Sequence, residues 1–128
     1  MSAEAKGCGC GCSGGGPTLV FACSGAADVG AIADQAARKL TRDGAGKMYC
    51  MAGLGGEVES IVETTKKACA ILAVDGCPVD CVKHTLDRLG FSGYGHLRVT
   101  DLGMQKGSSP VNEESIAKVV GKGAEMLA

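Results

Sequence analysis

The stretch Ala70-Ile-Leu-Ala-Val-Asp-Gly-Cys-Pro-Val-Asp-Cys81 decides the fold. Its five leading apolar residues read as a short strand buried on both faces, which is how strands of a parallel sheet look. Asp75-Gly76 turns the chain. Pro78 suits the first turn of a helix, where its missing N–H costs nothing. Val82, Leu86 and Leu89 give that helix a buried stripe, and Gly90 closes it. The spacing predicts that Cys77 and Cys81, one helical turn apart, share a face and can chelate jointly.

The same grammar repeats on either side. Thr18-Leu-Val-Phe-Ala22 is a second buried run, ending at Cys23. After it, Val29, Ile32, Ala33, Ala36, Ala37 and Leu40 recur in steps of three and four, one stripe of a helix that Arg42, Asp43 and Gly44 end. Lys47-Met-Tyr49 is a weak strand ending at Cys50, and Gly53, Gly55 and Gly56 read as a flexible connection. A helix is expected over about 57–67 with Val58, Ile61, Val62 and Thr65 inward. His96-Leu-Arg-Val-Thr100 reads as an edge strand and 104–110 as a loop. Asn112 then caps a last helix carrying Ile116, Val119, Val120 and Leu127 inward. Strand and helix alternate four times. The expectation is an α/β three-layer sandwich: a mainly parallel four-stranded sheet, Rossmann- or flavodoxin-like, with order 2-1-3-4 and helices on both faces.

A chain of 128 residues is long enough to bury a core without help from metal or disulfides. With two Phe, two Tyr and no Trp, that core must be aliphatic. Residues 1–16, rich in Gly and Cys, read as a flexible tail, and 17–128 as a single domain. A net charge of −1 with scattered Lys and Arg offers no surface for nucleic acid. No apolar run approaches the roughly 20 residues of a membrane span, and no leader pattern is present. The expected compartment is the cytoplasm. Eight cysteines in a reducing compartment point to metal ligands or reactive thiols rather than a disulfide framework.

Those cysteines sort by position. In a doubly wound sheet, functional residues collect at the carboxyl ends of strands, near the reversal of strand order. Cys23, Cys50 and Cys77 each follow a predicted strand, and Cys81 lies one turn on. Short turns bring such sulfurs toward the spacing of a tetrahedral Zn–S₄ site. Four thiolates around a divalent ion leave a net charge near −2. Backbone N–H groups of the turns at Gly25, Gly53, Gly55 and Gly56, and helix N-termini near Asp28 and Pro78, are the expected counterweight. Cys69 falls at the opposite end of its strand and reads as packing. Cys8, Cys10 and Cys12 alternate with Gly in the tail, where they could capture or deliver a soft metal.

At this point FACSGAADVG, KMYCMAGLGG and AVDGCPVDC, three cysteine-bearing strings in order, resemble the DGC-domain family, named for an Asp-Gly-Cys that here is Asp75-Gly76-Cys77. The resemblance runs from about Pro17 to the end. The family is assigned as zinc-binding, which implies Cys23, Cys50, Cys77 and Cys81 as metal ligands.

No catalytic residue is assigned: four sulfurs close a zinc shell and leave no position for water. The metal is then structural, stored or in transit. A thiol- or persulfide-handling protein is the alternative, although Cys77 to Cys81 is one residue too long for a C-x-x-C. An iron–sulfur cluster or another soft metal fits the same ligands. His84 reads as an exposed helix residue, His96 as lying at the wrong end of the sheet, and Asp75 and Asp80 as turn and helix-end residues. The Cys23 loop is no phosphate-binding loop: no Arg stands at its end, where a cysteine phosphatase needs one.

Overall fold

The computed structural model describes residues 16–128, so the expected tail with Cys8, Cys10 and Cys12 lies outside the described residues, Gly16 excepted. The order is β1 (Thr18–Ala22), α1 (Asp28–Arg42), β2 (Lys47–Met48), α2 (Met51–Gly55), α3 (Glu59–Lys66), β3 (Ala70–Asp75), α4 (Cys81–Arg88), β4 (Gly95–Arg98), a 3₁₀ turn (Val99–Leu102) and α5 (Glu113–Leu127). Every strand pairing is parallel, in the expected order β2-β1-β3-β4.

Alternation along β1 builds two cores. Val20 and Ala22 pack with α1 and α5 on one face of the sheet. Leu19 and Phe21 pack with Leu54 of α2, Ile61 of α3, and Val82 and Leu86 of α4 on the other. The stripe expected on α1 is buried throughout. Phe21, Leu19, Ile32, Leu40 and Leu72 are fully buried, each worth about 2 kcal/mol against exposure. The sheet therefore has ample packing of its own. Asn112 caps α5 as expected, its Oδ1 accepting from the Ser115 N–H at 2.9 Å. Among the described residues no helix is long and apolar enough to cross a membrane.

Three local expectations are corrected. The glycine segment 53–56 is not a loose connection: it holds most of α2, capped by the Cys50 sulfur, and a methyl on Gly53 would lie 2.8 Å from Ile61 Cγ1 of α3. Helix α3 starts two residues later than expected, which leaves Val58 half exposed at its N-cap. Helix α4 begins at Cys81, not at Pro78, because Asp80 adopts the left-handed conformation (φ 57°) and breaks the helical path. Cys77 therefore sits in a turn, its carbonyl accepting from the Asp80 N–H at 3.1 Å. Cys77 and Cys81 do not share a helix face.

Candidate metal centre

The carboxyl edge of the sheet is assembled around two glycines. A Cβ on Gly30, in the first turn of α1, would lie 2.5 Å from the Gly25 carbonyl oxygen. A Cβ on Gly76 would lie 2.9 Å from the Gly30 nitrogen and the Val29 carbonyl. Backbone rests on backbone here, so the loop after β1 and the turn after β3 both lie flush against α1. This contact brings the Cys23 and Cys77 segments together. Of the glycines expected to approach sulfur, Gly25 and Gly53 do: a methyl on Gly25 would stand 3.9 Å from Cys23 Sγ, and the Gly53 N–H donates to Cys50 Sγ at 3.3 Å. Among the described residues, no sulfur lies within 4 Å of a methyl placed on Gly55 or Gly56.

Asp75 has a role that its reading as a turn residue missed. Its side chain is 1% exposed and accepts from the N–H groups of Val82 (2.8 Å) and Lys83 (3.2 Å). It thus caps α4 from the end of β3. Its Oδ2 also lies 2.9 Å from His96 Nε2. His96, set aside from sequence, therefore sits beside the Asp-Gly-Cys turn. The register explains this: Asp75 pairs with Arg98, so His96 is only two residues back on the adjacent strand. Arg98 holds Asp80 with both arms, Nε to Oδ1 at 2.8 Å and Nη2 to Oδ2 at 2.7 Å. That pair holds the Asp80 carboxyl below its usual range. A left-handed non-glycine residue costs about 1 kcal/mol, and the bidentate pair offsets it.

Two helix N-termini were expected to face the sulfurs, and both are occupied by carboxylates. Asp75 takes the first amides of α4. Asp28 accepts from its neighbour Val29, and from the N–H groups of Gly107 (2.8 Å) and Ser109 (2.9 Å). These bonds, Gly107 first, lower the Asp28 pKa. They also staple the 104–110 loop against α1, and that loop supplies the counter-charge: Lys106 Nζ lies 3.8 Å from Cys77 Sγ. No local sequence signal links Lys106 to Cys77, 29 residues away.

Cys23 and Cys77 are partly buried, and Cys50 and Cys81 are exposed. Burial pushes the Cys81 thiol up, and the nearby Asp75, Cys23 and Cys77 push it further, with Lys106 opposing. Cys23 and Cys77 thus lie within electrostatic reach of Cys81. Among the described residues, however, no three cysteine sulfurs fall within 4.8 Å of each other; Asp75, Asp80 and His96 form the group that does. The oxygens of that group already serve α4, His96 and Arg98, so it is a hydrogen-bonded network as it stands. His84 is exposed, as expected. Cys69 precedes β3 at the far edge of the sheet, its N–H donating to the Pro17 carbonyl at 2.7 Å.

No solved structure matches the chain. It is 40% identical over 88 residues, 69% of this chain and 67% of the relative, to the "Anaerobic and virulence modulator AnvM" of Pseudomonas aeruginosa. The model of the DGC domain matches residues 19–122, a span that runs from β1 into α5 and takes in all four cysteines at the sheet edge. The chain belongs to the DGC-domain family.

Proposed function

We propose that this protein holds a zinc ion through Cys23, Cys50, Cys77 and Cys81, in a structural, storage or transfer role in the cytoplasm. What supports this reading is that the Cys23 loop and the Cys77 turn leave adjacent parallel strands at the same edge and both rest on the α1 backbone, with Cys81 starting the next helix. The donor set is the soft one zinc takes in closed sites. The Cys81 thiol, pushed up by its surroundings, is poor as a free nucleophile. A bound cation reverses that balance and deprotonates a coordinating thiol. Lys106 and the Gly53 N–H offset part of the resulting negative charge. Closing the shell requires the sulfurs to draw together. Cys50, exposed beyond the two-residue β2, would have to give up its capping bond from the Gly53 N–H or share it with the ion.

Elemental analysis of metal-replete, anaerobically purified protein tests the reading. About one zinc per chain is expected. Less than half an equivalent, or equal zinc in the wild type and Cys77→Ser, overturns it.

The second reading, thiol or persulfide handling, rests on Lys106. Its ammonium beside Cys77 Sγ gives an anionic sulfur group a counter-charge without any metal. Alkylation at neutral pH separates the two. Zinc-bound thiolates react only after chelator is added, whereas a free reactive thiol is modified at once.

A further inference from the structure

A groove of about 850 Å³ opens between the last turns of α1 and the segment joining β2 to α2. That volume is within the usual range for small-molecule sites. Cys23 and Cys50 line it, and Arg38 and Arg42 line it as well. The arginines differ. Arg38 is paired with Asp34, Nε to Oδ2 at 2.7 Å, and Asp34 also accepts from Ser24 Oγ at 2.7 Å. Arg42 has no hydrogen bond or ion pair among the described residues, and the adjacent carboxylate of Asp43 is taken by Lys39 at 2.8 Å. With one carboxylate and two guanidiniums, the lining carries a net charge of about +1. Met48 and Met51 add an adaptable apolar surface.

We propose that this groove binds a small organic carboxylate with an apolar body, its carboxylate paired with Arg42 and its other end against the thiols of Cys23 and Cys50. A guanidinium recognises a carboxylate through two parallel N–H···O bonds, and Arg42 is the guanidinium at the groove with both arms uncommitted. The site shares Cys23 and Cys50 with the proposed metal centre but depends on Arg42, which lies outside it.

The test compares an anionic and a neutral alkylating agent of similar size, iodoacetate and iodoacetamide, on reduced, chelator-treated full-length protein. Modification of Cys50 is followed by peptide mass spectrometry. The iodoacetate-to-iodoacetamide rate ratio at Cys50 is expected to be about threefold higher in the wild type than in Arg42→Gln at low salt. The wild-type excess should vanish near 1 M salt, where screening acts within about 3 Å. In addition, 3-phenylpropionate should slow iodoacetamide at Cys50 in the wild type, whereas the neutral 3-phenylpropanol should not. Equal ratios in the two proteins, a salt-insensitive wild-type ratio, or equal effects of acid and alcohol overturn the proposal. The salt and competition arms need no variant. Zinc content before chelation is expected to be the same in both proteins, so loss of this proposal and loss of the metal reading give different results.

Discussion

The turn after β3 and the turn after β2 each deliver a cysteine to the same sheet edge, and they are built in opposite ways. The first is fixed from every side. Gly76 lies on the α1 backbone, Asp75 caps α4 and touches His96, and Asp80 is clasped by Arg98. The second hangs from a two-residue strand at the sheet's edge and ends in a single-turn helix capped by the cysteine itself. One turn is held by contacts distant in sequence, and the other mainly by its own helix cap and the packing of Gly53 on Ile61.

The contrast can be broken most forcefully at the glycines. Gly76→Ala should cost about 3 kcal/mol, since the added methyl meets backbone that cannot step aside. Gly55→Ala in α2, where a Cβ meets nothing within 4 Å, should be neutral or stabilise by up to about 1 kcal/mol. Denaturant unfolding of metal-free protein measures both. Equal costs would erase the distinction. Next, Asp75→Ala should destabilise by about 2 kcal/mol, because one buried and one partly buried amide lose their acceptor. Amide hydrogen exchange should quicken at Val82 and Lys83 before it does in α1.

A smaller effect sharpens the same side by pH. Asp80 has a depressed pKa in the folded chain, chiefly through Arg98. Its stabilising contribution is therefore present above the ordinary carboxylate value of about 3.9 and is lost as pH falls through the lower folded value. Arg98→Gln should flatten that acid limb and return the Asp80 titration, followed by NMR, toward the ordinary range. The smallest effect belongs to the turn after β2. Cys50→Ser should change the stability of the metal-free protein by less than about 0.5 kcal/mol.

The readable parts of this fold were those governed by local periodicity. The α1 stripe, the apolar runs of β1 and β3, and the alternation of strand with helix carry the parallel sheet, while its order 2-1-3-4 was taken from flavodoxin-like sheets. What stayed hidden depended on contacts distant in sequence. The segment 51–55 is helical because Cys50 caps it and Gly53 packs on Ile61; its two glycines alone suggest the reverse. Pro78 signals a helix start, yet Arg98, eighteen residues beyond Asp80, stabilises the backbone conformation that postpones it to Cys81. His96 looked misplaced until the β3–β4 register set it beside Asp75. At the candidate site, the positions of Cys23, Cys50 and Cys77 after their strands were legible. Their counter-charges were not, because both expected helix N-termini are filled by carboxylates and Lys106 arrives from a distant loop.

The staple formed by Asp28 also bears on the order in which the molecule is completed. Its bond to the Ser109 amide spans 81 residues, and closing so large a loop comes at the slow, high-contact-order end of folding. The β1–α1–β2 unit can form from local contacts long before that bond exists. During synthesis, Cys23, Cys50 and Cys77 all emerge before Lys106 does. The nascent chain therefore passes through a stage in which its thiols are present without the cation that later faces Cys77.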